Sequence, residues 1–259
     1  MKILYPDKID SVSANVSATN YPATNVQNNS RLKIWKGDEV TTTIVWDTGI
    51  VWDTGIEWAM SNNPPIITVT LATGTNTITL FNTNASIVDF AIKDPGGMVL
   101  SNTSYTITKT NRNHWISFTA LASTHDVLVV FYAPDGSTPE CGIIRAGIPY
   151  SFDNPEYGLS ETITDYSIIK ELNNGAPYFI QREVVRRFSG IFHVTRDDEF
   201  YIFMYTIMKN NGRAPLAWQI TDLANQDWIV FAWYGGEEFD GSHDYLEDSS
   251  ISFILEERL

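Results

Sequence analysis

The sequence predicts a mostly β protein: an N-terminal antiparallel β-sandwich over residues 1–141, then a smaller α+β domain over residues 142–259 with one main helix. Three observations predict it. Short apolar or alternating runs recur at roughly ten-residue spacing up to residue 133, with turn residues between them. Eight Trp, twelve Tyr and thirteen Phe, with many Thr, Val and Ile, favour strands. After Cys141 the pattern changes, and a single helical period appears.

The sandwich runs are IITVTL (66–71), NTITLF (76–81), SIVDFAIKD (86–94), SYTITKT (104–110), HWISFTAL (114–121) and DVLVVFYA (126–133). Gly74-Thr75-Asn76, Asp94-Pro95-Gly96-Gly97 and Asp135-Gly136 separate several of them as turns. Residues 142–162, rich in Gly, Pro and Asn, read as a connector that wraps a surface. TDYSIIKEL (164–172) and APYFIQREVVRRFSGIFHV (176–194) read as two long strands around Asn173-Asn174-Gly175, a strong hairpin signal. Thr195 reads as an N-cap, with Asp197, Asp198 and Glu199 at the positive end of a helix dipole. Phe200, Phe203, Met204, Ile207 and Met208 follow at helical spacing, and Gly212 supplies the stop, so the helix lies near 196–211. That stripe reads as core packing. PLAWQIT (215–221), DWIVFAWY (227–234) and SISFILEE (250–257) complete the strands.

The chain of 259 residues is long enough for sizeable cores, and its 19% charged and 43% hydrophobic content is that of a folded protein. Net charge is −14, so the chain carries no electrostatic footprint for nucleic acid or anionic membrane. The acid is uneven: residues 1–141 hold 8 Lys+Arg against 12 Asp+Glu, and residues 142–259 hold 9 against 19. Cys141 is the only cysteine, which excludes an intrachain disulfide and a cysteine-based zinc site. The first residues lack a signal-peptide core, and no run approaches the ~18 apolar residues of a membrane span. The expectation is a chain made in the cytoplasm, without membrane insertion.

VWDTGIVWDTGI (45–56) repeats six residues without change, and each Asp-Thr-Gly has the local look of an aspartic-protease turn. Such catalysis needs two carboxylates about 3 Å apart, each from its own lobe. Asp47 and Asp53 lie six residues apart, roughly 20 Å in extended chain. Ile50 and Ile56 also stand where that turn has a small residue. Two copies are too few for a β-helix. Because six is even, the duplication keeps every side chain on its face, and Trp46, Trp52 and Trp58 share one parity. Two readings of these tryptophans stand: they bury into the sandwich or cover its edge, or they form an exposed strip that stacks on a sugar or docks into a neighbouring subunit.

No catalytic constellation emerges elsewhere. His114, His125, His193 and His243 form no spaced pair, and there is no nucleophile elbow, phosphate loop or dinucleotide fingerprint. Glu237, Glu238, Asp240, Asp244, Glu247 and Asp248 lack the residue order of a calcium loop and read as a solvated acidic stretch. Arg182, Arg186 and Arg187 lie on one long strand and suit docking onto acidic surface of a neighbour, though an intradomain pairing serves equally. No cofactor, metal or catalytic residue is expected.

VSATNYPATNVQNNSRLKIWKG (16–37), followed by TTTIVW, and TITLFNTNASIVDFAIKD (77–94) resemble discoidin-like, galactose-binding-like jelly rolls. Tyr21, Pro22, Asn25, Trp35, Asn82, Asn84 and Ala85 occupy that family's positions. Over nearly the whole chain, the order of sandwich, Gly-rich connector, Arg-bearing strand pair and final SFILEE strand resembles minor tail or baseplate proteins of tailed bacteriophages. The resemblance implies a non-enzymatic structural component of a virion tail tip, baseplate or tail ring, made in the host cytoplasm. Its partners would be other tail proteins and further copies in a homo-oligomeric ring. The alternative is a carbohydrate-binding adhesion module contacting host surface glycan. A glycan hydrolase would need a carboxylate pair ~5–9.5 Å apart, and no sequence spacing selects one.

Overall fold

The computed structural model describes residues 1–15, 17–18, 20–30, 33–37, 65–94, 97–106, 113–133, 137–155, 158–171, 177–182, 184–194, 197–221, 228–236, 241–245 and 248–257. Its strands are β1 (Lys2–Asp7), β2 (Ile9–Ala14), β3 (Trp35–Lys36), β4 (Ile66–Leu71), β5 (Thr77–Phe81), β6 (Ile87–Lys93), β7 (Val99–Thr106), β8 (His114–Ser117), β9 (His125–Tyr132), β10 (Glu140–Cys141) and β11 (Ile143–Ser151). Then come β12 (Ser160–Asp165), β13 (Ile168–Glu171), β14 (Pro177–Ile180), β15 (Val184–Val194), β16 (Leu216–Gln219), β17 (Ile229–Tyr234), β18 (Gly241–Tyr245) and β19 (Asp248–Glu257). Between β15 and β16, α1 (Asp197–Tyr201) runs through a π-helical segment (Ile202–Met208) into α2 (Lys209–Asn211).

Two large antiparallel sheets result. The first has the order β2-β4-β9-β6-β7. Its central strands alternate buried and part-exposed residues, as a half-covered sheet requires. The second has the order β12-β15-β19-β17-β16-β1-β11-β5-β8, with β18 on β19. The five-stranded sheet packs against the β11, β5 and β8 end of the larger one. Their shared core holds Ile67, Val69, Phe90, Val129, Phe131, Ile78, Leu80, Ile116 and Ile144, so the expected sandwich is present. Trp35 is fully buried there, its ring 5.3 Å from that of Phe131.

The other end of the large sheet is covered by the helix. Phe200, Phe203, Ile207 and Met208 bury against Phe188, Phe192, Ile251 and Phe253. The Phe203 ring meets Phe192 edge-on at 5.2 Å. The stripe expected for core packing is therefore core. Gly212 ends the helix with φ at +59°, a conformation that a side chain would strain. Thr195, the expected N-cap, lies outside the described residues.

One expectation is corrected. Residues 142–162 are not a surface connector: 143–151 form the nine-residue strand β11, whose first five residues are all buried, and Ser160 opens β12. Gly and Pro misled the reading, because β11 is buried on both faces and shows a run of apolar residues instead of alternation. Ile144 and Ala146 face the sandwich core, while Ile143 joins a third cluster with Leu4, Phe81, Ala217, Ile229 and Phe231. The large sheet thus runs across residue 141, carrying β5 and β8 from before it and β12 to β19 from after it. Phe81 on β5 and Phe231 on β17 are four strands apart, roughly 19 Å in a flat sheet. Their rings lie 5.5 Å apart, so the sheet curls until its own face closes around the third cluster.

Candidate functional site

The most exposed apolar structure among the described residues is a two-stranded arm. β12 pairs with the first half of β15, and beyond them β13 and β14 pair, among the described residues, only with each other. Ile169 stands opposite Phe179, and the two are 74% and 56% exposed. Tyr178 and Ile180 on the same strand, and Ile163, Tyr166 and Val184 at the base, are exposed as well. A two-stranded ribbon alone in water is marginally stable, and a contiguous apolar patch of several hundred Å² marks an interaction site. The base of the arm is anchored: the Tyr166 hydroxyl donates to Glu256 Oε1 at 2.7 Å, and Trp233 Nε1 donates to Glu256 Oε2 at 3.2 Å.

The three arginines expected as docking charges divide. Arg186 is committed within the chain, donating through Nε and Nη2 to the two carboxylate oxygens of Glu257 at 3.0 and 3.1 Å. Its Nη1 also lies 3.6 Å from Glu161. For Arg186 the intradomain pairing holds. Arg182 and Arg187 are exposed at the root of the arm, Arg182 with its backbone tied to the Ser167 hydroxyl at 2.9 Å. The expected turn Asn173-Asn174-Gly175 lies outside the described residues.

A second feature is a cleft of about 280 Å³ at the curled seam, lined among others by Tyr5, Asp7, Gln27, Asn29, Arg145 and Asn211. Arg145 is buried, its guanidinium 5.2 Å from the centre of the Phe231 ring. It donates to the carbonyl oxygens of Ile144 (2.8 Å), Val26 (3.3 Å), Gln27 (3.0 Å) and Asn28 (3.2 Å) and to Asn29 Oδ1 (2.8 Å). Its Nε lies 3.4 Å from Asp7 Oδ2. Partial desolvation raises the Asp7 carboxyl above its ordinary value in spite of the neighbouring guanidinium, although the side chain stays 45% exposed. Arg145 therefore acts as a clamp on the 3₁₀ turn Ala23–Gln27 and the loop after it.

Several of the positions on which the jelly-roll resemblance rests tie the chain to itself. Asn25 Nδ2 donates to the Ile34 carbonyl at 2.9 Å, and Asn84 holds β10 by donating to Thr138 O and accepting from the Glu140 amide. Asn82 adopts φ of +54°, and Ala85 is buried. Tyr21 carries Lys36 over its ring, and Lys36 pairs with Glu140 at 2.6 Å. Trp46, Trp52 and Trp58, with Asp47 and Asp53, lie outside the described residues, as do the side chains of the acidic stretch from Glu237 to Asp248. Among the described residues no group of three His, Cys, Asp or Glu could hold a metal ion.

Cys141 is fully buried in the sandwich core, and burial pushes its thiol far above the ordinary cysteine range. An aromatic disulfide reagent is expected to leave it unlabelled in the native chain and to label it fully in denaturant; absorbance of the released thiolate measures both.

The sequence concealed Arg145 and the arm for different reasons. Arg145 stood as a lone cation inside IIRAGI, which was the available signal. In the arm, Ile168-Ile169 and Tyr178-Phe179-Ile180 are apolar at both parities, a pattern that normally means burial on both faces.

No family model and no curated protein matches the chain. Over about half its length it is similar to three solved carbohydrate-binding structures. Chitosan-binding module 1 of a chitosanase/glucanase from Paenibacillus sp. IK-5 is 15% identical, covering 55% of this chain and 98% of that one, at a TM-score of 0.38. A family 32 carbohydrate-binding module of Clostridium perfringens NanJ in complex with galactose is 11% identical, covering 56% and 98%, at 0.38. The lectin domain of lectinolysin complexed with Lewis B antigen is 9% identical, covering 52% and 90%, at 0.38. The sandwich itself rests on the strand pairing and core described above.

Proposed function

We propose that this chain is a non-enzymatic docking component of a larger protein assembly, a virion tail or baseplate in the reading that the sequence resemblance gives. The observation that carries it is the arm, whose opposed Ile169 and Phe179 stand in water on a ribbon with no third strand among the described residues. Apolar side chains in such a place are retained at the expense of solubility, and a covering partner relieves that. Expression of the tagged chain in its native cells, followed by size fractionation and mass spectrometry, tests the reading. The wild type is expected in a high-mass complex of defined composition, and the Ile169→Asp/Phe179→Asp variant in the free fraction. Retention of the variant in the complex would remove the arm from the docking role.

A second reading, glycan binding, is supported by the seam cleft. Asp7, Gln27, Asn29 and Asn211 place carboxylate and amide groups beside Tyr5 and Pro215 in a volume near the lower end of ligand pockets. Titration with neutral oligosaccharides, followed by intrinsic fluorescence, is expected to show saturable binding that Asn211→Ala weakens. A flat titration for the wild type rules this reading out.

A further inference from the structure

We infer that the arm is a lever hinged where its ladder breaks, and that the Tyr166–Glu256–Trp233 bridge is the releasable tie that fixes its angle to the sheet. The register locates the hinge. The last pair of the root is Asp165 with Val184, and the first pair of the arm is Ile168 with Ile180, so two residues on one strand face three on the other. An unequal break of this kind is a β-bulge, which interrupts the ladder bonds and bends the ribbon. At the break the Ser167 hydroxyl accepts from the Arg182 amide at 2.9 Å and donates to the Arg182 carbonyl oxygen at 3.4 Å. One rotatable hydroxyl serves both main-chain groups of Arg182, and it can follow a change of angle that a ladder bond would resist.

The two sides of the break are held very differently. On the root side, β15 pairs with β12 along one edge and β19 along the other, and Arg186 links the buried Glu257 of β19 to Glu161 of β12. On the arm side, β13 and β14 pair, among the described residues, only with each other. Ile169 and Phe179 are exposed on one face of that ribbon, and Tyr178 and Ile180 on the other, so neither face rests on the body of the protein. Tyr166, beside the break, joins the two sides by reaching across β15 to β19. Glu256 is aimed for it: its backbone lies between Arg187 and Trp233, and Trp233 Nε1 holds one carboxylate oxygen while the Tyr166 hydroxyl takes the other. Tyr166 is 45% exposed, so water competes for Glu256 and the net strength of the bond is small. Such a tie sets an angle and opens readily. Hinge and tie belong to the isolated chain and stand whether or not the arm docks.

Double electron–electron resonance on the purified full chain tests this, with nitroxide labels on Lys170→Cys in the arm and Asp198→Cys on the helix. Both positions are exposed, and the buried Cys141 does not compete for label. With Tyr166 in place, one dominant distance is expected. Adding Tyr166→Phe, which removes only the hydroxyl, or Glu256→Ala is expected to move several-fold more of the population to other distances. A second label pair, Lys170→Cys with Tyr178→Cys, reads the ribbon itself, because these residues stand directly opposite each other. Their spin–spin coupling is expected to survive Tyr166→Phe, since a lever turns without coming apart. Loss of that coupling would show the ribbon melting and would overturn the hinge. A distance distribution that neither Tyr166→Phe nor Glu256→Ala alters overturns the tie, as does one already as broad when Tyr166 is present.

Discussion

Replacing Arg145 with alanine is expected to lower the unfolding free energy by about 3 kcal/mol, because several carbonyl oxygens at the seam lose one shared donor while the exposed Asp7 carboxylate stays in water. The guanidinium satisfies four carbonyl oxygens and the Asn29 side chain, and it faces Asp7. Alanine leaves these acceptors without their donor at a seam that the Phe231 ring helps to close. For a chain of this size each kcal/mol moves the melting temperature by roughly 2–4 °C, so a fall on the order of 10 °C is expected by calorimetry. Arg145→Lys is expected to recover little, because an ammonium cannot reproduce a planar fork reaching several carbonyls. A variant within 2 °C of the wild type would mean that the clamp carries no weight.

Gly147→Ala is the second large effect. A methyl group there would be driven into the backbone carbonyl oxygen of Pro6, with the Leu4 side chain close behind. The obstacle is main chain, and it belongs to β1 where the register with β11 shifts between Leu4 and Asp7. Relief requires β1 to move away from β11, and β1 is the strand that joins the sandwich end of the large sheet to β16. Destabilisation of about 3 kcal/mol or more is expected, above the usual range for overpacking because no side chain can yield. Urea unfolding monitored by tryptophan fluorescence measures it. Gly97→Ala makes a useful control for the open case, since nothing stands near that position and only its φ of +87° opposes the change.

The two variants also show how unevenly the structure was written in the sequence. Strands β4, β6 and β9 were legible because each alternates and is covered on one face. The helix was legible because five apolar residues recur along one side, and the π-helical segment did not disturb which of them face the core. β1 was not legible. Its residues 2–4 pair with 217–219 on one side and 149–151 on the other, and no local pattern announces partners that distant. The candidate sites fared likewise: Arg186 was seen on its strand, but its pairing with Glu257 needed β15 and β19 side by side.

What the sequence by itself determined is the β class, the spans of most strands and the helix with its buried stripe. Each follows from periodicity, which compares a residue only with neighbours two to four positions away. The tertiary structure alone decided that β11 is a shared strand, that the sheet curls until Phe81 meets Phe231, and that Arg145 reaches carbonyls 117 to 119 residues away. It alone decided that Ile169 and Phe179 stay in water. Burial and exposure depend on which distant segments arrive, and that is set by the free energy of the whole chain.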